Sequence, residues 1–193
     1  MRLFVAVWPD PAVRRGLVAL ERPAVTGVRW TPEADWHVTL RFLGEMDDPA
    51  PLVSAVGAAA AAVAGVSSSE RPGSAVARAV VDPRPAVLGR SALVLPVGGL
   101  GGLAAAVAAA TAGLGRSADR RPFRGHLTVA RLAGAVPAAS RRWSISGWSG
   151  PAGTLSWAVR ELTVVSSTPG GPGSPYEVVA RTSLARGDTG TIL

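Results

Sequence analysis

The chain has 193 residues, the size of one or two domains and enough to close a hydrophobic core without covalent staples. It holds no cysteine and only two histidines, His37 and His126, which excludes a disulfide scaffold, thiolate nucleophiles, zinc ribbons, iron–sulfur ligation and any three-histidine metal centre. The net charge is +7 and all 20 basic residues are arginine; codon bias accounts for the total, yet guanidinium forks pair with phosphate oxygens, so phosphate-bearing partners are favoured.

Leu3 to Val7 is a strand-like apolar run. Asp10-Pro11 then supplies a helix N-cap with proline at the first helical position, and Val13, Leu17 and Leu20 fall at helical spacing behind it. Val28-Arg29-Trp30 reads as a short strand and His37 to Leu43 as another. Asp48-Pro49 repeats the cap-plus-proline signal for a second helix with a stripe of Leu52, Val56, Ala59 or Ala60, and Val63, ending near Gly65. Residues 66–75 read as a loop, Val76 to Val81 as a strand, and Ala92 to Val97 as another once Pro83 and Pro85 are passed. Leu103, Val107, Ala110 and Leu114 mark a third helix with Gly115 as its C-cap. Gly134 to Gly153 reads as irregular, with a short strand at Trp143 to Ile145. Leu155 to Ser166 and Tyr176 to Leu184 alternate as strands around a loop at 168–175, and 185–193 reads as a flexible tail.

The apolar start is stopped by Pro9-Asp10, too short for a signal peptide, and the alanine-rich runs near 55–66 and 103–114 are too short and weakly apolar to span a bilayer. A cytoplasmic chain with no membrane contact is expected. Gly98-Gly99-Leu100-Gly101-Gly102 lacks the Lys-Ser/Thr of a nucleotide-binding P-loop, and no Gly-x-Ser-x-Gly elbow accompanies either histidine.

The chain repeats itself at an offset of 89 residues. Phe4 precedes His37 by the same interval as Leu93 precedes His126, so strand superposes on strand, helix on helix and histidine on histidine. The expected fold is α+β and two-lobed: duplicated strand–helix–strand units about a pseudo-twofold axis, with antiparallel sheets lining a central cleft. The expected organisation is a single domain over 1–184, with a first repeat at about 1–66, a second at about 90–135 and closing strands at about 155–184.

His37-Val38-Thr39-Leu40 and His126-Leu127-Thr128-Val129 share one pattern. On a strand, histidine and threonine face one side and the apolar residues the other. Coincidence of both threonines and both apolar positions is roughly a one-in-a-thousand event by composition. Two opposed imidazoles, which titrate near neutrality, supply a general acid and a general base together. Arg41, four residues after His37, shares its face on a regular strand, whereas Arg131, five after His126, faces away unless a bulge re-aims it. Trp36 and Phe42 are candidates to stack a base, although apolar packing is the commoner role for Phe42. Trp8 and Trp30 are open to both readings.

These motifs resemble those of the two-histidine (2H) phosphoesterases, and their surroundings are similar to the bacterial RNA 2',3'-cyclic phosphodiesterases, also called 2'-5' RNA ligase-like proteins. The resemblance covers about residues 1–184. It includes Arg2 to Val7, Val28-Arg29-Trp30, the run from His37 to Glu45, the run from Pro122 to Arg131, Glu161 to Ser166 and Tyr176. Gly125 departs from it, standing where proline is expected. The resemblance implies hydrolysis of a terminal 2',3'-cyclic phosphate of RNA to a 2'-phosphomonoester. His37 would donate a proton to the 3'-oxygen, His126 would accept one from water, Thr39 and Thr128 would clamp the non-bridging oxygens, and Arg131 would contact phosphate. It implies no metal and no cofactor. A monomer is expected, since the lobed design completes its own site. The alternatives are 2'-5' ligation by the same histidines, a small-nucleotide phosphodiesterase of the same superfamily, and an RNA-binding module that retains the fold without turnover.

Overall fold

A computed structural model describes residues 1–67, 76–89, 91–118, 121–133, 151–168 and 174–184. In chain order the elements are β1 (Arg2–Val7), α1 (Pro11–Val18), β2 (Val28–Trp30), a 3-10 turn (Glu33–Asp35), β3 (Val38–Glu45), α2 (Ala50–Ser67), β4 (Ala77–Val81), β5 (Ala86–Leu88) and β6 (Ala92–Gly98). They continue with α3 (Gly101–Ala110), β7 (His126–Leu132), β8 (Ser156–Val159), β9 (Glu161–Ser167) and β10 (Tyr176–Ser183). The expectations for most of the loop at 66–75, the strand at Trp143 to Ile145, the centre of the loop at 168–175 and the tail fall outside the described residues.

The fold is α+β with two antiparallel sheets. One has the order β10-β9-β1-β3. The other runs β2-β7-β6-β4-β8, with β5 also pairing β6. Helix α1 begins as its sequence dictates: the Asp10 carboxylate accepts from the Val13 N–H at 2.8 Å, Pro11 stands in the first turn, and Val13 and Leu17 are buried. Asp48 accepts from the Ala50 N–H at 2.9 Å at the start of α2, which buries Leu52, Val56, Ala59 and Ala60. The third helix is shorter than its apolar stripe. It stops at Ala110, where Thr111 turns its hydroxyl onto the Val107 carbonyl at 2.6 Å. Gly115 is therefore not its cap. With φ +53° it passes against the Leu43 carbonyl, and the next N–H, that of Arg116, donates to that same carbonyl at 2.7 Å.

Strand alternation divides the first sheet into two faces. Leu3, Val5 and Val7 join the main core with α2 and α3, whereas Phe4 and Ala6 join Val165 in a small second cluster on the other side, flanked by Trp8 and Tyr176. Both faces of β1 are thus covered, which explains its unbroken apolar run. The second sheet divides likewise: Leu93, Leu95, Val97, Leu127, Val129 and Ala130 belong to the main core, and His126 and Thr128 lie on the opposite face.

The two sheets exchange strands. β2, from the N-terminal part of the chain, pairs β7 with Trp30 opposite Ala130, and the C-terminal β9 pairs β1 with Val165 opposite Phe4. Within this arrangement β1 pairs β3 and β6 pairs β7, both antiparallel, so each His-x-Thr strand lies beside the strand that opens its copy of the repeat.

Candidate active site

His37 precedes β3 and His126 opens β7, and the backbone grips both rings in the same way. The Nδ1 of His37 lies 2.7 Å from the Asp35 carbonyl and that of His126 2.9 Å from the Arg124 carbonyl, two residues back in each case. A carbonyl oxygen only accepts, so each Nδ1 carries a hydrogen and donates it. Nε2 is left as the ring atom that exchanges protons with anything in the site. Thr39 and Thr128 come next at the half-buried positions of their strands, between the buried pairs Val38/Leu40 and Leu127/Val129.

The surroundings of the two rings differ. His37 sits among Phe4, Trp8 and Tyr176, with ring centroids 5.0, 5.2 and 4.8 Å away. Burial in this cage lowers its pKa below the ordinary imidazole value. The Asp35 carbonyl bond and the Asp35 charge oppose that shift, and His126 and Arg131 add to it. The last two effects make His126 and Arg131 electrostatic neighbours of His37, although they belong to the other sheet. Asp35 is itself buried and accepts from the Ser174 hydroxyl at 2.5 Å, which ties the 3-10 turn ahead of β3 to the chain entering β10.

Both motif strands are bulged three residues past the histidine. In the β1–β3 pair, Ala6 faces Thr39 and Val5 faces Arg41, so Leu40 is the extra residue. In the β6–β7 pair, Val94 faces Thr128 and Leu93 faces Ala130, so Val129 is extra. Each bulge reverses the alternation of the residues beyond it. Arg131 is thereby returned to the face of His126 and Thr128, where it is exposed. Arg41 is turned away from His37 and into the core.

There the Arg41 guanidinium donates to the carbonyls of Ala108 at 2.8 Å, Leu114 at 3.4 Å and Arg116 at 3.2 Å, closing the end of α3. The expectation that Arg41 faces substrate assumed an unbulged strand and is corrected. Trp36 is corrected as well: it is 2 % exposed, belongs to the main core and lies under the Arg22 guanidinium at 4.9 Å, out of reach of a base. Phe42 lies on the histidine face, 38 % exposed and stacked on Phe4 at 6.4 Å with Arg2 over its ring. Trp30 donates its Nε1–H to the Pro23 carbonyl at 3.0 Å and packs against the core.

Sequence reasoning missed Phe4, Tyr176, Asp35 and Ser174. Phe4 carried a signal, because Phe4, Ala6 and Trp8 alternate with Leu3, Val5 and Val7. Tyr176, the sole tyrosine, reads in the sequence only as the start of a closing strand, with nothing local to place it against His37. Among the described residues no three His, Cys, Asp or Glu side chains are grouped to hold a metal ion.

Residues 7–75, which contain the first motif, match the family model for LigT like Phosphoesterase. No curated protein matches the chain by sequence. Among solved structures, the Thermus thermophilus protein TT0787 superposes with a TM-score of 0.65 at 25% identity, covering 95% of this chain and 98% of its own. E. coli LigT complexed with 3'-AMP superposes at 0.62 and 23% identity, covering 96% and 98%. A further structure described as a phosphoesterase gives 0.62 at 22%, with the same coverage. The family match is confined to the part of the chain around the first motif, whereas the fold is LigT-like along nearly the whole length. No helix among the described residues is long and apolar enough to cross a membrane.

Proposed function

We propose that the protein hydrolyses the terminal 2',3'-cyclic phosphate of RNA to a 2'-phosphomonoester by acid–base catalysis between His37 and His126. The observation that carries the reading is the paired backbone tether, which leaves an Nε2 free on each ring beside a threonine on the same strand face. In the proposed reaction a water oxygen attacks phosphorus as His126 Nε2 takes its proton. The bond from phosphorus to the 3'-oxygen breaks as His37 Nε2 gives that oxygen a proton. The Thr39 and Thr128 hydroxyls donate to the non-bridging oxygens, where negative charge grows, and Arg131 adds a fixed positive charge on the same face. No step calls on a metal or cofactor.

The lowered pKa of His37 bears on this assignment. An imidazole inside an aromatic cage holds its extra proton poorly until an anion arrives, so the substrate phosphate itself completes the acid. Phe42, exposed on the same face, offers a ring on which a terminal base can stack. Structures of E. coli LigT hold 3'-AMP, ATP or phosphate, which agrees with a nucleotide-bearing, phosphorylated substrate. We further read the chain as one bilobal domain over 1–184, in which repeats at about 1–66 and 90–135 relate by a pseudo-twofold axis and face each other across a cleft.

The test is an RNA oligomer ending in a 2',3'-cyclic phosphate, incubated in excess EDTA with the wild type, His37→Ala and His126→Ala. Wild type alone is expected to yield a 2'-phosphate, with each variant slower by about 10²–10⁴-fold. Adding an RNA with a 5'-hydroxyl separates hydrolysis from ligation, since only ligation lengthens a chain. Binding without turnover by the wild type would leave an RNA-binding module and sink the enzymatic reading.

A further inference from the structure

β2 is the edge strand of the second sheet, and it sets Arg29 directly opposite Arg131. Cross-strand partners share a face. On β2, Val28 and Trp30 pack against the core while Arg29 is exposed, and on β7 Arg131 is exposed beyond the Val129 bulge. The pairing is pinned at both ends: the Thr31 N–H donates to the Val129 carbonyl at 2.9 Å, and the Ala133 N–H to the Gly27 carbonyl at 2.8 Å. The backbone therefore holds two guanidinium-bearing residues side by side.

Like charges directly opposite each other on a sheet are destabilising. Among the described residues neither arginine forms an ion pair with a carboxylate. An uncompensated pair of this kind beside a phosphate-handling site is a feature that an anion would relieve. Across the bulge Thr128 and Arg131 face Val94 and Ala92, two residues apart on β6, so they lie about 7 Å apart along the strand, and β2 lies about 4.8 Å further out. The pair thus begins roughly one nucleotide's length from the His-x-Thr residues and extends away from them.

Resting on the phosphodiesterase reading above, we propose that Arg29 and Arg131 together form a second phosphate site for the 5'-phosphate of the terminal nucleotide. The chemistry of the substrate selects that group. A 2',3'-cyclic phosphate ends its chain, so the next backbone phosphate lies only on the 5' side. Fork-shaped donors on adjacent strands suit a phosphate with two free oxygens. The preferred substrate is then an oligonucleotide end or a 5'-phosphorylated nucleotide, in preference to a bare nucleoside cyclic phosphate.

Three substrates test this: adenosine 2',3'-cyclic phosphate, its 5'-phosphorylated form, and an adenosine dinucleotide ending in a cyclic phosphate. For the wild type, kcat/KM is expected to be about ten-fold or more higher for the two that carry a 5'-phosphate. Arg29→Gln should lower those two by about ten-fold and the bare nucleoside by no more than about two- to three-fold, and Arg29→Lys should restore part of the loss. Equal wild-type rates on all three, or an Arg29→Gln loss that is the same for all three, would overturn the second site while leaving the phosphodiesterase reading intact. If the wild type turns over none of them or the RNA oligomer, that reading fails and the second site fails with it.

Discussion

Leu40 and Val129 are each the extra residue of a bulge three positions beyond a histidine, and between them they decide which arginine faces the site. The bulge at Leu40 sends Arg41 inward and brings Phe42 out. The bulge at Val129 sends Ala130 inward and brings Arg131 out. Two strands of matching sequence pattern thereby present a ring on one side of the site and a cation on the other.

Arg41 and Arg131 should accordingly fail in different ways. Arg41→Met removes the donor to three carbonyls at the end of α3 and should cost about 2–3 kcal/mol in denaturant unfolding. Arg131→Gln should change stability by no more than about 0.5 kcal/mol while raising KM for a cyclic-phosphate oligonucleotide by about ten-fold. A large KM effect from Arg41→Met in a chain that is still folded would contradict its placement.

The buried imidazole makes stability depend on pH. His37 has a lower pKa in the folded protein than in the unfolded chain, chiefly through burial, so between the two values the unfolded chain binds a proton that the native protein lacks. Its contribution is complete above the ordinary imidazole value of about 6.5 and is lost as pH falls through the lowered one. The melting temperature should drop on acidification through this window, and His37→Phe should flatten the drop. Asp35→Asn, which removes a charge that favours the protonated ring, should push the His37 pKa lower still in an NMR titration.

Tyr176 closes the cage from the C-terminal strand at 4.8 Å. Tyr176→Ala admits water to His37 and should raise its pKa toward the ordinary value in the same titration. An unchanged His37 titration would mean that Phe4 and Trp8 alone exclude water.

Gly125 stands where the family pattern expects proline, and the structure gives a reason for a residue without a side chain. A Cβ there would meet the Val97 carbonyl and, at 3.2 Å, the Phe123 ring, while the Gly125 carbonyl accepts from the Val97 N–H at 2.8 Å. Gly125→Ala must push the start of β7 off β6, at a cost of about 1–3 kcal/mol. Because His126 is the next residue, kcat should fall by about ten-fold or more as the ring leaves its reacting position. An alanine variant with unchanged melting temperature and kcat would refute this account.

Much of the backbone was legible in local chemistry. The Asp10-Pro11 start of α1, the apolar runs of β1 and β6 and the two His-x-Thr strands rest on signals within a few residues, and all of them form. The illegible part depends on partners far away in the chain. Leu40 and Val129 look like ordinary strand residues, and only their registers against β1 and β6 make them bulges. The fates of Arg41 and Arg131 depend on those bulges and could not be read from a regular alternation. β5, three residues long between prolines and Gly89, carries too short a pattern to detect. α3 ends a turn before its stripe does: Thr111 folds back onto the Val107 carbonyl, and beyond it the Leu114 and Arg116 carbonyls accept from Arg41 while the Arg116 N–H donates to Leu43 of β3. Trp36, next to a catalytic candidate, invited a role in the site that the burial of its ring denies.

The exchange of strands between sheets also governs when the molecule can be finished. β1 is made more than 150 residues before β9, yet it is covered along its second edge only by that strand. Throughout synthesis it carries an unpaired apolar edge, the kind of template on which nascent chains associate. Its closure must await a loop of more than 150 residues, which is slow by topology alone. The cage around His37 is complete only once Tyr176 has emerged and docked, so a chain released early would carry both histidines with the first of them still open to water.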